Sequence, residues 1–270
     1  MDKIHPSSVI SLTAEIAEDV TIGPFTTIGP DVKIQKGTII GSNVTIVGHT
    51  EIGSDCVIAP GAVIGTPPQD LSYRNEETYV KIGNQTQIRE YVTVNRASGE
   101  GTSTVVGNNC LLMAYAHLGH NCVLDDNVII ANTVNLAGHV HVGEYAFIGG
   151  TCVVHQFVKI GKMAIMSGFS GTRQDLPPYS ITDGRPAYVR GVNRVGLRRR
   201  KFSKDEIDNM RRAFRIIWFQ DHKNMSEALE KVVQEVQLDS HIEHLMEFIK
   251  TSKRGIIIKR QLENFDNFTE

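Results

Sequence analysis

Aromatic residues are scarce, 7% of the chain with a single Trp. That argues against a core built around large rings and suits one filled by aliphatic side chains. Charge of one sign is equally lacking. Lys and Arg number 28 against 30 Asp and Glu, a net charge of -2. The balance excludes a chain that holds nucleic acid by bulk electrostatics and one kept disordered by self-repulsion. No apolar run approaches the ~18 residues of a membrane span, and the N-terminus carries no basic–apolar–cleavage pattern. A cytoplasmic protein with no membrane span is expected. Four cysteines in 270 residues do not make a disulfide framework.

What the sequence does contain is a period. From Ile4, every sixth residue is isoleucine: Ile10, Ile16, Ile22, Ile28, Ile34, Ile40, Ile46, Ile52, Ile58 and Ile64. Six fits neither the 3.6 of a helix nor the 2 of a strand. It is the mark of a hexapeptide β-helix, one short strand and one corner per hexad. Four residues past each anchor stands a small or β-branched residue, such as Val20, Thr26, Val32 and Thr38. Gly, Asn and Asp recur at the corners, where positive φ is needed. Cys56, Cys110, Cys122 and Cys152 occupy the same small inward slot, so reduced buried thiols are expected.

The period breaks twice, over 66–81 and 97–105, as polar loops thrown out of the prism. Ejected loops are common seats of function. The hexads then run from Val106 to Met166. Three hexads close one coil, so every third strand shares a face. Along one face come Ile64, Val94, Leu118, Leu136 and Val154. Both loops leave that edge, and His120, Gly138-His139 and His155-Gln156 follow its strands, with His117 leading in. One corner histidine is most often a solvated side chain. Several opposite two loops point to acid–base chemistry. His117 and His120 also invite a zinc reading, but no third ligand has obvious spacing.

After Pro177-Pro178 the period ends. The expected organisation is a left-handed parallel β-helix over 1–180, a linker with a basic run over 181–202, and a helical domain over 203–270. Ser203-Lys-Asp-Glu206 reads as a capping box. Ile207, Met210, Ala213, Phe214, Ile217 and Trp218 keep helical spacing. Two further helices are expected near 226–236 and 240–252, with Gly255 as a stop and a polar, frayed tail from Lys259. The run Arg194-Val-Gly-Leu-Arg-Arg-Arg-Lys201 is a candidate anion site.

Ala116-His-Leu-Gly-His120-Asn-Cys, Leu136-Ala-Gly-His139-Val, Val154-His155-Gln156-Phe157, Gln174-Asp-Leu-Pro-Pro-Tyr179 and Asn193-Arg-Val-Gly-Leu-Arg-Arg-Arg200 resemble the acyl-[acyl carrier protein]–UDP-N-acetylglucosamine O-acyltransferases, which begin lipid A synthesis. The likeness covers essentially the whole chain. It implies a homotrimer with active sites between subunits, no cofactor of its own, and transfer of an (R)-3-hydroxyacyl chain from acyl carrier protein to the sugar 3-hydroxyl. By this resemblance His120 is the general base and the Gly138 amide the oxyanion donor. Asp70, His117, His139 and Gln156 are sugar-binding residues, and His155 is a further residue of the substrate site. Asn193, Arg199 and Arg200 meet nucleotide or phosphate, and Gly168 is the hydrocarbon ruler. The related N-acyltransferase of the same pathway has a domain before its hexads, and hexads from Ile4 argue against it. Three departures stand out: Asn121 where some members have Asp, Ser72 where some have a loop lysine, and Arg194 in place of an acidic residue. The rival readings are another hexapeptide acyl- or acetyltransferase, a γ-type carbonic anhydrase, and a non-catalytic trimeric scaffold.

Overall fold

The computed structural model describes residues 3–258. Twenty-seven short strands precede four helices. The strands stack into three sheets of nine, eight and ten, the faces of a left-handed parallel β-helix closed by a small helical part. The first face runs from Val9–Ile10 to Gly171–Thr172, the second from Glu15–Ile16 to Lys159–Ile160, and the third starts at Thr21–Ile22. Registers follow the period: Ile64 pairs with Val94, Val94 with Leu118, Leu118 with Leu136, and Leu136 with Val154.

The isoleucine column from Ile22 to Ile64 is buried throughout. Each such side chain contributes about 1.5–3 kcal/mol by leaving water. Ile4, on the first described rung, is 41% exposed. The inward threonines are satisfied across coils: Thr26 and Thr38 donate to the Gly41 and Gly53 carbonyls at 2.8 Å and accept from the Val44 and Cys56 amides. All four cysteines are free and buried. Burial pushes the Cys110 thiol up to about 11 and that of Cys122 to about 12, so neither ionises at neutral pH.

The corners hold more than Gly, Asn and Asp. Positive φ recurs every 18 residues at Asn109, Asn127, Tyr145 and Met163, and again at Tyr115, Thr133, Thr151 and Phe169. The left-handed conformation costs an ordinary residue ~1–2 kcal/mol. Stacking from coil to coil offsets part of it, as where Tyr91 lies on Tyr115 at 5.1 Å and 11°.

Three boundaries differ from the sequence expectation. The loops are shorter than 66–81 and 97–105, because Tyr79–Ile82 and Ser103–Val106 are strands of the second face whose Val80 and Thr104 point inward. The loops proper are 67–78 and 96–102. The stretch 181–202 is not an irregular link. Ser180–Asp183 extends the third face, Tyr188–Val192 returns antiparallel to it, and the basic run is a helix, α1 (Arg194–Arg199). Gly255 does not end the last helix, which stops at Thr251. The expected frayed tail from Lys259 lies outside the described residues.

Helices α2 (Lys204–Phe219), α3 (Met225–Glu235) and α4 (Ser240–Lys250) follow. The capping box of Ser203 and Glu206 is formed, and the expected apolar residues of α2 are all buried. The helices are fastened to the prism through buried Asp175, which accepts from the Lys159 amide and the Ser252 hydroxyl, both at 2.7 Å.

Gly65, at the root of the first loop, has φ +82°, and a Cβ there would overlap the Val47 carbonyl and the Thr50 hydroxyl. Gly101 has φ +71° but open space around it. Gly101→Ala should therefore cost about 1–2 kcal/mol. Gly65→Ala adds overpacking and should cost about 2–5 kcal/mol. Thermal melts of the two variants check this; equal melting temperatures would refute the steric account.

Candidate functional site

The corner between the first and second faces gathers the expected groups. Strand His117–Leu118 delivers His120 to it, and strand Asn135–Leu136, one coil further, delivers Gly138 and His139. The His139 amide donates to the His120 carbonyl at 2.9 Å, locking the two corners together. A cleft of about 440 Å³ opens here. Its walls include His117, His120, Gly138 and Gln156, together with Gln69 at the start of the first loop and Asn95 before the second.

The protonation pattern of His120 follows from geometry. The Asn121 amide nitrogen donates to the Ser98 carbonyl at 3.2 Å and to Thr102 Oγ1 at 3.1 Å. Asn121 Oδ1 accepts from the Ser98 backbone N–H at 3.0 Å. A backbone N–H can only donate and a carbonyl can only accept, so the orientation of this amide is fixed. His120 Nδ1 lies 2.8 Å from the same Oδ1, and must therefore carry the hydrogen. In the neutral ring, the lone pair is then on Nε2. That nitrogen lies over Gly138, where any Cβ would collide with the imidazole. Among the described residues nothing accepts a hydrogen bond from the Gly138 N–H. The His120 ring and the Gly138 backbone, whose N–H has no partner among the described residues, thus lie side by side.

The other histidines differ in role. His117 is held by the Thr93 hydroxyl at 2.7 Å, and burial lowers its pKa. His139 stacks on Phe157 at 4.5 Å and meets His120 edge-on at 5.2 Å. Burial first, then repulsion from His120, lowers its pKa. His117 and His139 are accordingly neutral at pH 7. Asp70 sits in the first loop, its carboxyl held at about 2 by hydrogen bonds from the Ser72 amide, the Ser98 side chain and the Ser72 hydroxyl, with attraction to His120 a smaller cause.

Five expected residues lie apart from this cleft. His155 lines a separate cavity and is met by Arg254 at 3.3 Å. Asn193 is buried as the N-cap of α1, accepting from the Gly196 amide and donating to the Met163 carbonyl. Arg200 stacks its guanidinium 3.5 Å over the Tyr145 ring, on the corner between the second and third faces. Arg199 is exposed on α1 nearby. Gly168 lies on the corner between the third and first faces, where a Cβ would meet only the Gly150 backbone, at 3.3 Å. One chain does not bring these residues to His120. Sequence reasoning missed Gln69, Asn95 and the bonding of Asn121. The polar residues at the mouth of each loop were the available signal for the first two.

Similarity to known proteins follows the same outline. The family model for bacterial transferase hexapeptides matches residues 13–48, 33–66 and 103–138. The model described as UDP N-acetylglucosamine O-acyltransferase, domain 2, matches 175–257. An acyl-[acyl-carrier-protein]–UDP-N-acetylglucosamine O-acyltransferase of Thermodesulfovibrio yellowstonii is 48% identical over 257 residues, covering 95% of this chain and 99% of its own. Among solved structures, a UDP-N-acetylglucosamine acyltransferase from Bacteroides fragilis superposes with TM-score 0.91 at 40% identity, over 94% of this chain and 99% of that one. The one from Campylobacter jejuni gives 0.89 at 37%, over 96% and 100%. With its prism, both loops and its helical part matched together, the chain belongs to the acyl-[acyl-carrier-protein]–UDP-N-acetylglucosamine O-acyltransferase family.

Proposed function

We propose that this protein transfers an (R)-3-hydroxyacyl chain from the phosphopantetheine thiol of acyl carrier protein to the 3-hydroxyl of UDP-N-acetylglucosamine, in the cytoplasm, as the first step of lipid A synthesis. The observation that carries the reading is the lone pair of His120 Nε2 beside the free Gly138 N–H. His120 takes the proton of the sugar hydroxyl as its oxygen attacks the thioester carbon. The tetrahedral oxyanion is met by the Gly138 amide, a preorganised donor whose like is worth about 3–4 kcal/mol elsewhere. Collapse expels the carrier thiol, which takes the proton back from His120. Neutral His117 and His139, with Gln156 and Asp70, hold the sugar. No resident cofactor takes part.

The reading requires a homotrimer. Gly168, Arg199 and Arg200 stand on other corners of the prism, so a neighbouring copy must carry them to the cleft. Arg200, held flat on Tyr145, keeps its edge for a phosphate oxygen. Arg194 and Arg215, beside the ion-paired Arg190 and Arg211, border one hollow on the third face, a surface of the sign that an acidic carrier protein needs.

His120→Ala should lower kcat by about 10²–10⁴-fold with melting unchanged, and a chelator should leave the wild type untouched. Turnover close to wild type in the variant would remove His120 from the mechanism. Chelator-dependent loss restored by zinc would instead restore the metal reading.

Asn121 gives a second test. Asn121→Ala leaves the Nδ1 hydrogen unheld and should cost about 10–100-fold in kcat, more than in KM. Asn121→Asp keeps an acceptor but adds an anion beside the ring. It should move the acid limb of the pH–rate profile upward, since a neighbouring negative charge favours imidazolium. Profiles that superimpose would separate Asn121 from the base.

Chain length gives a third. A glycine at 168 leaves room for a long acyl chain, and Gly168→Met should shift the optimum toward shorter donors. Each methylene withdrawn from a groove is worth about 0.8 kcal/mol. An unchanged profile across a ladder of hydroxyacyl carrier proteins would show that Gly168 does not set the length.

A further inference from the structure

The first loop carries Gln69 to the reaction cleft, yet little apolar surface holds it there. Pro68 and Thr78, at its two ends, are buried, and no residue between them is. Leu71, its one aliphatic side chain of any size, is fully exposed. Hydrophobic burial does not place the middle of this loop. Hydrogen bonds must.

Arg96 supplies the anchor. It follows strand Thr93–Asn95, which pairs directly with the His117–Leu118 strand. Its Nε donates to the Tyr73 hydroxyl at 3.0 Å and its Nη1 to the Gly65 carbonyl at 3.2 Å. Gly48, at φ +64°, leaves it room, since a Cβ there would stand 2.8 Å from Nη1. Arg96 is half-buried. Among the described residues no carboxylate lies within ion-pair reach of it, and it does not wall the cleft. Its fork therefore serves geometry rather than charge pairing.

A guanidinium can only donate, so the Tyr73 oxygen accepts from Arg96 and turns its own hydrogen elsewhere. That hydrogen goes to the Glu76 carbonyl, 3.1 Å away. The Tyr73 amide donates to the Asp70 carbonyl at 3.2 Å. The Glu76 carboxylate then ties the two loops together. One oxygen accepts from the Arg74 amide at 2.7 Å, and the other from the Gly99 amide of the second loop at 2.8 Å. The Gly101 amide adds a bond to the Glu77 carbonyl at 2.9 Å. Gly99 adjoins Ser98, which grips both ends of the Asn121 amide. The row of contacts runs from the prism through Arg96, Tyr73 and Glu76 to the residue that orients His120.

Resting on the acyltransferase reading above, we propose that Arg96 is a positioning residue for this reaction. Through Tyr73 it holds the first loop on the prism, and through Glu76 it holds the second. Gln69 and Asp70 are thereby kept at the cleft, and Asn121 is kept on His120 Nδ1. Arg96 and Tyr73 act through these neighbours and not on the reacting atoms.

The test follows kcat, both KM values and melting of the intact enzyme with UDP-N-acetylglucosamine and hydroxyacyl carrier protein. Tyr73→Phe removes one hydroxyl from a half-buried ring. It should lower kcat about three- to tenfold with melting unchanged. Arg96→Ala should lower kcat about 10–100-fold. Arg96→Lys keeps the charge without the fork and should recover little of that loss. Coupling separates positioning from a general structural role. Added to Asn121→Ala, Tyr73→Phe should cost under about twofold in kcat, because the contact it acts through is already gone. Full additivity of those two changes would overturn the assignment. So would Tyr73→Phe or Arg96→Lys with wild-type kcat. A salt-dependent rise in one KM at unchanged kcat would overturn it too, making Arg96 a direct anion contact. All of these results leave the acyltransferase reading intact. Absence of turnover by the wild type would bring down that reading, and this proposal with it.

Discussion

Each coil must hand its backbone hydrogen bonds to the coils above and below. The Thr27 amide bonds the Val44 carbonyl, and the Thr45 amide bonds that of Ala62. A coil therefore cannot change its register alone. The isoleucine column stays in line because the bonds fix it, and the bonds stay in a dry environment because the column excludes water. Corners supply what the faces cannot. At most of them one residue sits at positive φ, turning the chain by a third of a coil. Insertions are tolerated only where a corner can open without breaking the ladder. Both loops open from the same one, between the first and second faces, and that shared corner is why they meet.

Periodicity of this kind made much of the molecule legible. The step of 18 residues put Ile64, Val94, Leu118, Leu136 and Val154 on one face, and the pairings follow it residue for residue. It also assigned the cysteines to the inward slot. Outside the period the reading weakened, for physical reasons. The pairing of Ser180–Asp183 with Tyr188–Val192 is antiparallel and has no six-residue signature. Tyr79 to Lys81 read as loop because the hexad pattern had been interrupted, although alternation inward at Val80 was already present in the letters.

The site shows the same division. Spacing gives the row and corner of a side chain but not the direction in which it turns. His139 and His155 follow strands of the same face. One turns onto His120 and Phe157, the other toward Arg254. Asn193, expected to meet nucleotide or phosphate, is buried as the N-cap of α1. Asn121 read as a departure that left His120 without an orienting carboxylate. Its bonds to Ser98 and Thr102 depend on how the second loop folds back over the corner, across some twenty residues of chain, and no local pattern announces that.

The loop contact explains how a neutral residue can serve where a carboxylate would otherwise stand. A carboxylate orients an imidazole by accepting its hydrogen and also favours its charged form. An amide can accept equally well but is ambiguous, since its two ends are nearly alike in shape. The ambiguity is removed here by Ser98, whose N–H and carbonyl grip opposite ends of the Asn121 amide. The negative charge has not vanished. It stands on Asp70 in the other loop, kept ionised by Ser72 and Ser98 and attracted to His120 from a distance. Orientation and charge are thus divided between two groups, and Ser98 touches both. A displacement of the second loop would release the tautomer of His120 and loosen Asp70 in one movement. The bonds around Asn121 and Asp70 are complete only when both ejected loops are seated.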